Sequence, residues 1–130
     1  MATVRDYMTA HPYTLGRQQS MAHAHELMRT HGMRHVPVLD GGRLVGIVSE
    51  RDLHLIGSLD KADPKTVTVE EAMSQEPWTV EPDTPIATVA ATMAANRYGA
   101  AIVVERGKVL GIFTTIDALR ALVDATSTAG

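Results

Sequence analysis

Two segments carry residues whose types and spacing could do chemistry: Gly46-Ile47-Val48-Ser49-Glu50-Arg51-Asp52 and Gly111-Ile112-Phe113-Thr114-Thr115-Ile116-Asp117. Each runs from an apolar, strand-like stretch into a helical one through Ser/Thr-x-x-Asp. As a capping box, the hydroxyl accepts from the amide three residues on, and the carboxylate accepts from the cap amide. As a ligand site, the same helix start offers unpaired N–H groups and partial positive charge, which attract phosphate. The hydroxyl can then donate to the phosphate, and the carboxylate can accept from two sugar hydroxyls. The two readings are compatible, because a cap in the empty protein can become a ligand contact. Each motif alone is weakly specific; its recurrence at one register in two halves of the chain is much more so.

Little else in the sequence is arranged for chemistry. Of the six histidines, His23 and His25 diverge on a helix, and Gly32 separates His31 from His35. No cysteine or carboxylate cluster completes a tetrahedral set, so no metal site is assigned. No nucleophile–base pair or glycine-rich phosphate loop is present, so an enzyme is not expected. Met8, Met21, Met28, Met73 and Met93 read as core. Tyr13 and Trp78 share one repeat position, where packing beside a strand is favoured over stacking on a base.

The bulk properties narrow the partners. The chain has 130 residues, 45% of them hydrophobic and 21% charged, with a net charge of −3. That excludes a basic nucleic-acid footprint. No apolar run approaches a membrane span, and the N-terminus carries Arg5 and Asp6 with no apolar h-region, so a secretory signal is not expected. A cytoplasmic location is the expectation.

An internal repeat must position the two motifs. Shifted by 65 positions the sequence matches itself without a gap: Val4 with Val69, Met8 with Met73, Pro12 with Pro77, Met28 with Met93, Val38 with Val103, Gly46 with Gly111 and Asp52 with Asp117. Each copy reads as β-α-β-β-α. In the first, a helical turn over Val4–Met8 precedes a strand at Thr14–Leu15 and a helix over Ser20–His31 closed by Gly32. Strands Val36–Leu39 and Leu44–Val48 flank Asp40-Gly41-Gly42-Arg43, which is hairpin chemistry. A helix over Glu50–Ile56 follows. The second copy repeats this, with Thr84 as helix cap, Pro85 at the first helical position, strands Ala101–Glu105 and Val109–Phe113, and a last helix over Thr115–Thr126. Gly57–Thr68 is the expected linker, and Ser127–Gly130 an unanchored tail. The expectation is an α/β (α+β) fold of two units, 1–62 and 63–130. Each core is thin, so the copies should pack sheet to sheet about a pseudo-two-fold axis.

Val4–Thr9, Arg34–Asp40 and Leu44–Leu53, with their counterparts Val69–Met73, Ala101–Val104 and Leu110–Leu119, resemble the successive signature segments of the CBS (cystathionine beta-synthase) domain. The resemblance covers residues 4 to 123. It implies a tandem CBS pair, or Bateman module: a regulatory unit that binds an adenosine-containing ligand between its repeats and signals by conformational change. AMP, ADP or ATP is the implied ligand, with S-adenosylmethionine as another of the same class, and no cofactor is implied. The resemblance puts phosphate on Ser49 and Thr114 and ribose on Asp52 and Asp117. It lines the base pocket with Thr14, Val36 and Pro37 in one copy and Thr79, Ala101 and Ile102 in the other. Arg51 adds a cation to the phosphate side of the first site. The second copy departs from the pattern at Ile102, which replaces Pro37, and at Ile116, which replaces Arg51. A two-fold homodimer through the C-terminal helices of each repeat and an unidentified effector protein are the implied partners. A ligand-independent interaction or dimerisation module is the alternative.

Overall fold

The computed structural model describes residues 1–59 and 62–127; part of the expected linker (60–61) and tail (128–130) lies outside the described residues. The first repeat gives α1 (Val4–Tyr7), β1 (Thr9–Ala10), β2 (Leu15–Gly16), α2 (Met21–His31), β3 (His35–Asp40), β4 (Arg43–Ser49) and α3 (Glu50–Gly57). The second gives α4 (Val69–Ala72), β5 (Ser74–Gln75), β6 (Thr79–Val80), α5 (Ile86–Asn96), β7 (Ala100–Glu105), β8 (Lys108–Thr114) and α6 (Thr115–Ser127). The helices and hairpins fall where hydrophobic periodicity and turn chemistry put them. The two-residue strands β1 and β5 are too short to carry a periodic signal.

The chain forms two compact units that are not simply the two repeats. One unit is Tyr13–Pro77; the other joins Met1–Pro12 to the chain from Trp78 onward. In the Tyr13 unit the sheet order is β2-β3-β4-β5, and in the Trp78 unit it is β1-β8-β7-β6. Each sheet therefore takes three strands from one repeat and an edge strand from the other. The edge strands pair antiparallel, Thr9 with Ile112 and Ile47 with Ser74. The helical turns travel with them. Val69 is fully buried in the core of the Tyr13 unit beside Leu15, Met21, Met28, Val36, Val38, Val48 and Leu53. Its repeat equivalent Val4 is fully buried in the Trp78 unit with Val89, Met93, Ala101, Val103 and Phe113.

Two local devices make these junctions. The hairpin glycines Gly41 and Gly42 both have positive φ, 57° and 84°, the backbone of a two-residue primed turn. In the second hairpin Arg106 accepts φ 54° beside Gly107 at 78°. Farther along, a bulge leaves one extra residue between Gly46 and Leu44, and another between Gly111 and Val109. Immediately beyond each bulge a glycine meets the exchanged edge strand. A Cβ on Gly46 would stand 2.5 Å from Met73 Sδ and 2.8 Å from the Ser74 carbonyl oxygen; on Gly111 it would stand 2.6 Å from Met8 Sδ and 2.7 Å from the Thr9 carbonyl oxygen.

Charge matches the segments to the bodies on which they lie. Arg17 Nε is 3.2 Å from Asp40 Oδ2 and its Nη1 is 2.9 Å from Glu70 Oε2 on α4. In the other unit the arginine is on the exchanged segment itself: Arg5 Nε is 3.5 Å from Asp83 Oδ1 and Nη2 is 3.7 Å from Glu105 Oε2. Arg5 and Glu70 occupy the same repeat position with opposite charge.

Helix ends follow the sequence to within a residue: α3 runs on to Gly57 and α6 to Ser127, which the sequence assigns to linker and tail. Ser20 caps α2, its Oγ accepting from the His23 amide at 3.1 Å, and Gly32 closes it in the left-handed region at φ 65°. Helix α5 starts one residue later than expected, with Pro85 rather than Thr84 as the cap. The Thr84 carbonyl is instead engaged by the Val4 amide of the exchanged segment at 3.0 Å.

Replacing either close-contact glycine tests how tightly the edge strands are seated. G46A and G111A are each expected to destabilise the protein by about 1–3 kcal/mol, because a thioether can move aside but a paired backbone carbonyl cannot. Denaturant melts against an alanine substitution at the exposed Gly57, where a Cβ meets nothing within 4 Å, supply the comparison.

Candidate functional site

In the Tyr13 unit, β4 delivers Ser49 to the end of the sheet opposite His35 of β3, and the chain turns directly into α3. The capping box is formed: the Asp52 amide donates to Ser49 Oγ at 3.0 Å, and the Ser49 amide donates to Asp52 Oδ2 at 2.8 Å. The Glu50 amide donates to the Arg34 carbonyl at 2.9 Å, tying the helix start to the residue before β3. Ser49 and Asp52 are half-buried and Arg51 is exposed. Val36 and Pro37, both buried, follow on β3. Thr14, exposed, directly precedes Leu15, whose partner in the parallel ladder is Val38. The fold thus gathers Thr14, Val36, Pro37, Ser49, Arg51 and Asp52 at one end of one sheet.

The Trp78 unit gathers Thr79, Ala101, Ile102, Thr114 and Asp117 by the same logic. Thr79 pairs with Ile102, and Ala100 with Thr114. The Thr115 amide donates to the Gly99 carbonyl at 3.2 Å, as Glu50 does to Arg34. Here the carboxylate is buried, with Asp117 only 4% exposed. Its Oδ2 accepts from the Thr114 amide at 2.9 Å and the Thr114 hydroxyl at 3.2 Å, while Arg120 Nη1 lies 3.3 Å from Oδ1.

The box alone does not mark a ligand site. Thr3/Asp6 and Thr68/Glu71 form the same box on α1 and α4. What sets the α3 and α6 starts apart is their place beside the entry of a central strand. Tyr13 stacks on His31, ring centroids 3.8 Å apart, and Trp78 leans on Tyr98 at 5.1 Å; both rings have packing partners. Among the described residues no three His, Asp or Glu side chains are grouped to share a metal ion.

His35 belongs to the first cluster, a place the sequence does not give it: there it stands only among the histidines weighed for a metal. Its strand position gave no signal, since the second repeat has Ala100 there. Burial pushes the His35 pKa below its ordinary 6.5; the Asp52 charge opposes that shift and the Arg34 charge adds to it. Folding therefore favours neutral imidazole. The unfolded chain takes up a proton first as pH falls, so the contribution is complete above about pH 6.5 and declines below it toward the folded pKa. The melting temperature of the wild type should accordingly fall more steeply between pH 7.5 and 5.5 than that of H35A. Parallel curves for the two proteins would assign the pH dependence to other groups.

The chain can be placed among known proteins. The CBS domain family model matches residues 4–56 and 69–124. Inosine-5'-monophosphate dehydrogenase of Korarchaeum cryptofilum is 32% identical over 88% of this chain, but the match spans only 22% of that enzyme. The crystal structure of CBSX2 in complex with AMP superposes with a TM-score of 0.85 at 27% identity, covering 97% of this chain and 99% of that one. The CBS domain pair of protein MJ0100, in complex with 5'-methylthioadenosine and S-adenosyl-L-methionine, gives 0.87 at 28% identity over 96% and 98%. With both repeats matched and the fold shared along nearly its full length, this chain belongs to the CBS domain family as a tandem CBS pair.

Proposed function

We propose that the protein is a non-catalytic regulatory module that binds an adenosine-containing nucleotide at these sheet-end clusters and signals by conformational change. The observation that carries the reading is the recurrence, in both units, of a hydroxyl and a carboxylate at the start of a helix beside a central strand's entry. In the first cluster Ser49 and Arg51 take the phosphate, at a helix start whose amides favour negative charge. Asp52 takes the ribose hydroxyls, and Thr14, Val36 and Pro37 line the base. Thr114, Asp117, Thr79, Ala101 and Ile102 are the counterparts. The complexes of CBSX2 with AMP and of MJ0100 with methylthioadenosine and S-adenosylmethionine support this ligand class.

The outputs of such a module are a change of shape and a change of partner. Filling a cluster stiffens the strand–helix turn and shifts the population of conformers. Helix α6 exposes Ile116, Leu119, Leu122 and Val123, each more than half exposed, and α3 exposes Leu55. These apolar side chains are the proposed dimer surface.

Thermal denaturation with and without AMP tests the function. At a concentration a hundredfold above Kd, AMP should stabilise the folded protein by about 2.7 kcal/mol. The D52N/D117N double variant should fold, with each lost cap contact costing about 1 kcal/mol, and should lose that stabilisation. Light scattering on the same samples should return twice the chain mass. Full AMP stabilisation of the double variant would reduce both carboxylates to helix caps.

A further inference from the structure

We infer that the two clusters are unequal: the Tyr13 unit holds one 6-aminopurine nucleotide per chain, while the cluster of the Trp78 unit is closed by its own contacts. This rests on the nucleotide reading above. Three observations carry it, and all three point the same way.

The first is a missing amide. In the Trp78 unit the Ile102 amide donates to the Trp78 carbonyl at 3.0 Å, and the parallel ladder begins at Thr79 and Ile102. The equivalent residues in the other unit are Tyr13 and Pro37, and proline has no amide to give. The ladder there begins one residue later, at Leu15 and Val38. Among the described residues no backbone hydrogen bond to the Tyr13 carbonyl is found. A released carbonyl beside the base-lining residues is an acceptor for an exocyclic amine. Adenine presents such an amine at its 6-position, whereas hypoxanthine presents a carbonyl oxygen there and cannot donate through it.

The second is the state of the carboxylate. Both oxygens of Asp117 are engaged, one by two groups of Thr114 and the other by Arg120. Asp52 uses Oδ2 for its cap; no hydrogen bond to its Oδ1 is found among the described residues. A ribose hydroxyl can therefore reach Asp52 Oδ1 without competition, whereas at Asp117 it competes with donors already on both oxygens. The third is the placing of the cation. Arg51 lies exposed in the first turn of α3, where the helix start already favours an anion. In α6 that position is Ile116, 63% exposed, and the cation has moved to Arg120, where α3 has Leu55. The phosphate side of the second cluster thus loses its charge, and the displaced arginine ties up the ribose acceptor.

Calorimetry on the full chain with AMP and IMP decides the matter. One AMP per chain is expected, with IMP weaker by about tenfold or more, as for an acceptor covered by the bound base and left without its donor. D52N should weaken AMP by about ten- to a hundredfold, a hydrogen bond to a charged group being removed. P37A, which restores an amide to face Tyr13, should weaken AMP and narrow the AMP-to-IMP ratio. Two AMP per chain of equal affinity, or IMP binding as tightly as AMP, would overturn the inference and leave the nucleotide reading standing. Absence of binding by AMP, ATP and S-adenosylmethionine would remove that reading and the inference with it. The wild-type stoichiometry and the AMP-to-IMP ratio require no variant to fold.

Discussion

The close approach of a backbone to a glycine, made twice, holds the fold in its arrangement. Gly46 and Gly111 lie where a Cβ would fall within 2.8 Å of a neighbouring carbonyl oxygen, so only glycine lets the edge strand pair. That strand comes from the other repeat, and it brings a short helix whose valine fills the core. Without it each sheet would end on β4 or β8, the very strand that runs into the candidate site. The constraint therefore acts at a distance of three residues: it seats the edge, the edge covers the strand, and the strand fixes Ser49 and Thr114 at the entry of the next helix. The bulge beside each glycine serves the same end, since the extra residue bends the strand around the inserted segment.

Surface ion pairs of this exposure contribute little stability singly, and the two arginine clamps gain their meaning from pattern rather than strength. Arg17 faces a glutamate on the incoming segment; Arg5 is itself on the incoming segment and faces acids on the body. Exchanged back to its own repeat, Glu70 would face Asp83 and Glu105, and Arg5 would meet Arg17 together with Asp40. Duplication with divergence has thus left two units with one architecture and opposite signs at one contact. The same divergence separates the two clusters, which differ at positions 37/102, 51/116 and 55/120.

Much of this was legible in the sequence. The repeat, the helices, the hairpins and the Ser/Thr-x-x-Asp helix starts follow from periodicity, glycine placement and cap chemistry, all of them local. The exchange was not legible, because a shift that aligns Val4 with Val69 is silent on which core each valine enters. Strands of two residues, β1 and β5, leave no alternation to read. The one-residue shift of β2 was hidden for a different reason: it follows from Pro37, whose effect appears only once the strand beside it is known. The i, i+3 contact of Arg120 with Asp117 lies on the expected helix, but the burial of Asp117 depends on packing that no local pattern carries, and the part of His35 in the first cluster required the pairing of its strand with Ser49.

The central claim is that the strand–helix turn at Ser49 is a nucleotide site and not merely a helix start. Amide spectra of the isotopically labelled chain, recorded through a titration with AMP, test it most directly, since every relevant backbone N–H except that of Pro37 reports. The account predicts saturable shifts concentrated at Thr14, His35, Val36 and Ser49–Asp52. Saturable binding of AMP that leaves those amides unmoved, with the shifts gathered elsewhere on the chain, would contradict it.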